Sequence, residues 1–330
     1  SNNSEFIYYL KCDKNTRPYK LFSIQLSNHT NTLIYHQTNQ QLELSMHNSI
    51  DELFLIVYSS NKNSNQVSII DYSPVSDDHT NHYNKIYHVI PMTTNTLYDM
   101  DHNYLGFFVR SNQYDNFNFS IEQCITYKNG FHRVNIIPHN DLKYLQSFLL
   151  FEKFMVLTYV HKARHELVIY NFTTHETTKL STHSFFISLP YTLNMDYHTN
   201  TLFYIEYSYN HPKTIRSYHI SNHTYKLEKN TFKLLVPTYK SEQYIQKIIT
   251  IPGSDIHISI VYNKNVYTQD GSAPGVLSGY GAYGYSNIMK FNKYIVSLLD
   301  MGFLYAIAHV RGGTENGYRW YDDGKMFNKK

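Results

Sequence analysis

The chain has 330 residues and a formal net charge of +3, room enough for two domains with separate cores. Its charges are spread without basic blocks, so neither a nucleic-acid nor a membrane-surface footprint is present and neither partner is expected. Cys12 and Cys124 are the only cysteines; two cysteines make no disulfide framework and fit a reducing compartment, giving the expectation of a cytoplasmic protein.

Residues 1–240 carry no convincing helical pattern. They hold short strand-like runs separated by Asn, Asp, Ser, His and Lys, and the 33 tyrosines and 19 histidines are dispersed among them. Five runs pair into hairpins of one shape, beginning at Phe6, Leu53, Leu105, Phe154 and Leu202. The starts are 47, 52, 49 and 48 residues apart. Each hairpin opens on an apolar, aromatic-rich strand, crosses a polar turn and returns on an alternating strand. A repeat of nearly fifty residues with about four strands of β pattern is the mark of propeller blades. The competing reading is an irregular all-β sandwich, which the even spacing disfavours.

Several local features in this region point nowhere. His161 and His165 are four apart but in a hairpin turn, where helical spacing has no meaning. His79 and His82 lie in a polar loop without the ligand pattern of a zinc site. Asn28-His29-Thr30 and Asn118-Phe119-Ser120 have the form of glycosylation sequons, which an Asn-rich chain produces by chance. The apolar region Ser147–Val160 is interrupted by Glu152-Lys153 and is too short to span a bilayer.

Near 236–245, VPTYKSEQYI, the hairpin period ends, and a domain boundary is expected between residues 240 and 241. Tyr244–Ile251 and Ile256–Tyr262 read as strands about a Pro252-Gly253 turn. Asn263–Pro274 is a polar loop. Its Gly271-Ser272-Ala273-Pro274-Gly275 has the outline of a nucleophile elbow, but it precedes a strand, and Pro274 obstructs a helix there. Gly275–Tyr280 is a short apolar run stopping at the glycine-rich turn Gly279–Gly284. A helical face of Phe291, Tyr294, Ile295, Leu298 and Leu299 follows, with Gly302 as stop signal. Phe303–Val310 is a second apolar run, ending on Arg311-Gly312-Gly313-Thr314-Glu315. Strand, helix, strand predicts two parallel neighbours with a right-handed crossover. Chemistry in such sheets gathers at the carboxyl ends of the strands, where both glycine turns fall.

The stretch from Gly275 to Lys330, GVLSGYGAYGYSNIMKFNKYIVSLLDMGFLYAIAHVRGGTENGYRWYDDGKMFNKK, resembles the start of the catalytic domain of the prolyl oligopeptidase family of serine peptidases. LLDMGFLYAIAHVRGG and WYDDGKMFNKK are most similar to the oligopeptidase B branch. So are LYDMDHNYLGFFVRSN at 97–112 and SEQYIQKIITIPGSDIHISIVY at 241–262. The resemblance implies a β-propeller, with about five of seven blades in residues 1–240, followed by the N-terminal part of an α/β-hydrolase domain in residues 241–330. Both domains are expected to be incomplete, since the chain opens at Ser1 without a methionine and ends at Lys330.

What the resemblance implies for the site is specific. Tyr280 would present its hydroxyl to the oxyanion, with Gly279 and Gly281 shaping its turn. Arg311, Gly312, Gly313 and Glu315 would shape the second turn, with Arg311 and Glu315 bracing it or lining the cleft, bracing being the favoured reading. Trp320 and Asp322-Asp323 would pack and cap. The serine nucleophile and its Asp and His partners follow this region in chain order, so Ser272, Ser278, Asp300 and His309 are not expected to be the triad. Substrates would be short peptides, cut after basic residues through an acyl-enzyme, with no cofactor or metal. Some relatives of the branch place acidic residues soon after the tyrosine turn, whereas this chain has Ser286-Asn287-Ile288-Met289-Lys290, so the resemblance does not by itself imply a preference for paired basic residues. The alternative is a non-catalytic propeller scaffold with a degenerate hydrolase fragment, since propellers host many functions.

Overall fold

The computed structural model describes residues 5–72, 84–128, 130–182, 184–230 and 239–329. Each of the five sequence hairpins closes as an antiparallel pair. The pairs are Phe6–Cys12 with Pro18–Gln25, Phe54–Ser60 with Asn65–Asp71, Gly106–Ser111 with Ser120–Cys124, Phe154–His161 with Arg164–Asn171, and Thr201–Tyr207 with Thr214–His219. In four of them a further strand flanks each side, making four-stranded meanders, and the first sheet has three described strands.

Burial explains why the hairpins, rather than whole sheets, were visible in the sequence. Phe54–Ser60 is buried at six of its seven positions, because both faces of an inner strand are covered by packed side chains. Its outer neighbour Glu43–Asn48 buries one residue, and Thr177–Lys179 buries none. Sheets stack face to face: Ile56, Val67 and Ile69 of the second meet Met100, Phe107 and Val109 of the third in one apolar cluster. Leu21 of the first sheet packs with Leu44, Leu55 and Ile70 of the second.

By compactness the chain divides into two units, Ser1–His139 with Leu150–Glu152, and Asn140–Leu149 with Lys153–Lys330. The second holds a sheet of another kind. Its strand order is Tyr244–Thr250, His257–Asn263, Leu304–His309, Gly275–Gly279. The first three run antiparallel. The last pair is parallel, in register from Gly275↔Leu304 to Gly279↔Ala308, and helix Lys293–Asp300 makes the crossover. Asn292 caps the helix by accepting the Tyr294 N–H at 2.9 Å, filling one of the orphan donors of the first turn. Gly302 turns the chain out at φ +86°, a conformation glycine adopts without steric cost.

The expected apolar face of that helix needs correction. Tyr294 is 71% exposed, with the Lys293 ammonium 5.2 Å from its ring centre. Phe291 precedes the helix and packs edge-on to Tyr239. The side turned to the sheet is Ile295, Val296 and Leu299, against Tyr244, Val261 and Ile307. Residue 294 lies about 100° around from 295, and an eight-residue helix offers the sheet only one narrow stripe. Asp300 ends the helix and accepts from Tyr244 Oη and Asn263 Nδ2, both at 2.8 Å, fastening it to the sheet.

Other expectations resolve locally. Asn118 of the second sequon is 2% exposed, so a glycan has no access to it. Cys12 and Cys124 are free thiols, the first exposed and the second buried. His79 and His82, like Val236-Pro237-Thr238 at the expected boundary, lie outside the described residues. His161 and His165 share no partner: the first donates from Nδ1 to Leu142 O at 2.7 Å, the second to Ile187 O at 2.9 Å.

His165 is 6% exposed, with its ring centre 4.0 Å from that of Phe186. Burial pushes its pKa from the usual 6.5 down to about 4, because the charged ring would lose its hydration. The unfolded chain therefore binds this proton first. Stability contributed by the neutral ring is whole above pH 6.5 and is lost as pH falls toward 4, by at most about 3 kcal/mol. His165→Gln should flatten this part of the profile. Urea midpoints near neutral pH and near pH 5, for both proteins, check it: an equal drop in each means the ring does not titrate in this window.

Candidate active site

The parallel strand Gly275–Gly279 hands the chain to Tyr280, whose side chain is 53% exposed. Its ring stands edge-on to that of Tyr285, with centres 6.1 Å apart. The next residue, Gly281, has φ +61°, and a Cβ there would sit 2.4 Å from Val310 Cγ2 and 2.6 Å from Arg311 O. Gly312 has φ +100°, and its Cβ would fall 2.0 Å from Gly281 O. The two glycine turns therefore touch backbone to backbone, at a distance that no side chain permits. Gly279 differs: a Cβ would make only an ordinary 3.5 Å contact with Ala308 O. Space therefore does not require glycine there.

Hydrogen bonds run along the seam. Gly284 N–H donates to Gly312 O at 2.9 Å, and Gly312 N–H donates to Trp320 O at 2.8 Å. Trp320 Nε1 donates to His309 O at 3.1 Å, so Trp320 supports the second turn from within its own chain segment. Lys329 Nζ donates to Gly281 O and, at 2.6 Å, to Arg311 O, placing one ammonium across both turns. Arg311 is exposed. Asp322 ends the short helix Tyr318–Asp322 and pairs with Lys325 at 2.5 Å.

Glu315 is 4% exposed. Its Oε1 accepts the Asn287 N–H at 2.8 Å and faces His309 Nδ1 at 3.3 Å. His309 Nε2 in turn lies 2.6 Å from Ser259 Oγ. A Cβ on residue 313 would lie 2.0 Å from Glu315 Oε2, so Gly313 leaves the room that the carboxylate fills. Ser286 Oγ and Thr314 Oγ1 are 2.8 Å apart, and Thr314 donates to Gly284 O at 3.3 Å. Of the residues singled out in the sequence, Tyr280, Gly281, Gly312, Gly313 and Glu315 are thus brought to one seam. Ser259, Asn287 and Lys329 were missed. Ser259 meets His309 across an antiparallel pairing fifty residues apart in sequence, and nothing local announces that.

Ser259, His309 and Glu315 have the connectivity of a catalytic triad but not its access. Their exposures are 0%, 2% and 4%, and Ser259 is opposite Ile307 inside the sheet, so no carbonyl carbon can reach Oγ. Ser272 is exposed and donates both its N–H and its Oγ to Asp270 Oδ1, at 2.9 and 2.5 Å; that is a turn contact, with the hydroxyl proton held by a carboxylate. Ser278 is an exposed strand residue. A cavity of about 400 Å³ lies elsewhere in the second unit, with the Glu206–Arg216 ion pair at 2.6 Å and Gln246 in its wall. None of the seam residues lines it. Among the described residues no helix is long and apolar enough to cross a membrane.

Five repeated meanders followed by a sheet with a parallel βαβ unit define a β-propeller joined to the start of an α/β-hydrolase domain. Residues 1–231 match the prolyl oligopeptidase N-terminal beta-propeller domain, and residues 289–330 match the prolyl oligopeptidase family. The chain belongs to the prolyl oligopeptidase family. It is 34% identical over 198 residues to a dipeptidyl aminopeptidase BI of Pseudoxanthomonas mexicana, covering 58% of this chain and 27% of that protein. It is 26% identical over 335 residues to protease 2 of Moraxella lacunata, covering 99% of this chain and 46% of that protein. The oligopeptidase B structure from Leishmania major superposes with a TM-score of 0.86 at 19% identity, over 99% of this chain and 46% of that one. The chain thus spans less than half the length of each.

Because Ser259 is sealed and the Ser272 hydroxyl is held by Asp270 in an exposed turn, residues 1–330 by themselves should not react with a serine-directed fluorophosphonate. Intact mass after incubation is expected to be unchanged. Stoichiometric labelling, mapped to a serine of this chain, would overturn the expectation that no serine of residues 1–330 is an activated nucleophile.

Proposed function

We propose that the intact protein is a cytoplasmic serine oligopeptidase that hydrolyses short peptides after basic residues through an acyl-enzyme. Residues 1–240 belong to its propeller domain and residues 241–330 open its hydrolase domain. The observation that carries this reading is Tyr280. A half-exposed phenol stands at the carboxyl end of a parallel strand, on a turn whose backbone is wedged against Val310 and Gly312. Attack of a serine on a peptide carbonyl turns the carbonyl oxygen negative. A donor held in advance at that position lowers the barrier without reorganising during the reaction. In this reading Tyr280 is that donor, and Gly281, Gly312 and Gly313 allow the turns to close. The serine, histidine and aspartate of the acyl-transfer step are contributed by the rest of the protein, and the step needs no metal or cofactor.

Family membership supports the reaction class. The preference for a basic residue rests on the likeness to oligopeptidase B. The segment Ser286–Lys290 adds nothing to it: Ser286 faces Thr314, Asn287 is bonded to Glu315, and Met289 is 1% exposed. No carboxylate there would meet a second basic side chain, so a paired-basic preference is not part of the proposal.

Tyr280→Phe in the full-length enzyme removes one donor and keeps the ring. kcat should fall by about 10²–10³, which is about 2.7–4 kcal/mol of transition-state stabilisation. KM should stay nearly constant, because the bond strengthens only as charge develops. The urea midpoint should also hold. A purely structural tyrosine gives the reverse: normal kcat and about 1 kcal/mol of lost stability if its hydroxyl is a buried donor. Steady-state kinetics on one fluorogenic peptide separate the two.

A further inference from the structure

We propose that Glu315, oriented by His309 and Ser259, is a positioning residue that sets the tyrosine-bearing turn. The proposal rests on the reading of Tyr280 as the oxyanion donor. Three anchors converge on this residue. Its carboxylate holds the Asn287 N–H at 2.8 Å, fixing the far end of the loop that begins at Tyr280. Its backbone carbonyl accepts the Ala163 N–H at 2.8 Å. Ala163 is the tip of the fourth sheet's hairpin, where Lys162 and Ala163 both take positive φ, 49° and 59°. Thr314, next to it, is bonded to Ser286 and Gly284. One residue thus joins a propeller hairpin to the loop of the candidate oxyanion donor.

The direction of the relay follows from what each group can donate. An ionised carboxylate only accepts, so His309 Nδ1 carries the proton toward Glu315 and Nε2 accepts the Ser259 hydroxyl proton. That fixes the ring and, through it, the carboxylate. Gly313 is part of the device, since any side chain there would displace Oε2. Displacing the loop by as little as about 1 Å would take the Tyr280 hydroxyl out of line with the oxyanion, an error that can cost about 10²-fold in rate.

The test uses the full-length enzyme with Glu315→Ala, Glu315→Gln and Ser259→Ala, each alone and with Tyr280→Phe. Glu315→Ala should lower kcat by about 10–100-fold with KM within about twofold. Glu315→Gln, which keeps an acceptor for Asn287 N–H, should recover most of that loss. In the Tyr280→Phe background the same substitution should cost almost nothing, because there is no hydroxyl left to position. Amide exchange across 281–287 should quicken in Glu315→Ala, and less so in Ser259→Ala. An equal loss of kcat in both backgrounds, or unchanged exchange across 281–287, would overturn the proposal. If Glu315→Ala does not fold, Glu315→Gln and Ser259→Ala decide by the same two readouts. If Tyr280→Phe alone leaves kcat unchanged, it is the oxyanion reading that has failed. Exchange across 281–287 then still decides whether Glu315 holds the loop.

Discussion

The contact between Gly312 and the carbonyl of Gly281 governs this end of the molecule. Two turns, each following a strand of one parallel pair, approach until a Cβ on the second would overlap the first's oxygen at 2.0 Å. Only backbone fits there. With the turns that close, Gly284 N–H reaches Gly312 O, and the Lys329 ammonium reaches carbonyls of both turns. An exposed tyrosine on such a turn is aimed by the backbone rather than by packing around its ring. That is the property a preorganised donor needs.

Behind the seam the structure uses polar groups where a core would ordinarily be apolar. Ser259, His309, Thr314 and Glu315 are all buried, and each finds a partner on the sheet or the loop. Buried polar networks are expensive unless satisfied, and when satisfied they select one geometry over its neighbours. A stripe of leucines would hold the sheet as well, but it would leave the loop after Tyr280 free to settle in several positions. The apolar cluster of Tyr244, Val261, Met289, Leu299 and Ile307 does the complementary work. It fixes helix to sheet, and through Met289 it tethers the same loop further along.

The propeller part follows a simpler rule. Inner strands such as Phe54–Ser60, covered on both faces, are chiefly apolar, while outer strands such as Thr177–Lys179 face solvent. The repeated unit seen in the sequence is therefore the inner hairpin, and the outer strands leave only a weak trace. The same rule accounts for the misplaced Tyr294. Over eight residues an apolar side chain can fall beside the buried stripe as easily as on it, and an aromatic ring shielded by Lys293 tolerates exposure.

By itself the sequence determined the local things. Hairpin period, strand–helix–strand order, the parallel pairing of Gly275–Gly279 with Leu304–His309, and the two glycine turns were all legible, because each is carried by contiguous runs whose patterns follow one another along the chain. Likeness to a known family supplied the proposed role of Tyr280, which composition could not single out among 33 tyrosines. Only the tertiary structure decided what surrounds it. The Ser259–His309–Glu315 relay, the grip of Lys329 on both turns and the docking of Ala163 on Glu315 join segments from well-separated parts of the chain. Gly313 needs its missing side chain because of a carboxylate two residues away that folds back into its space. Such contacts depend on where the chain returns in space, and residue type at a single position carries no record of that.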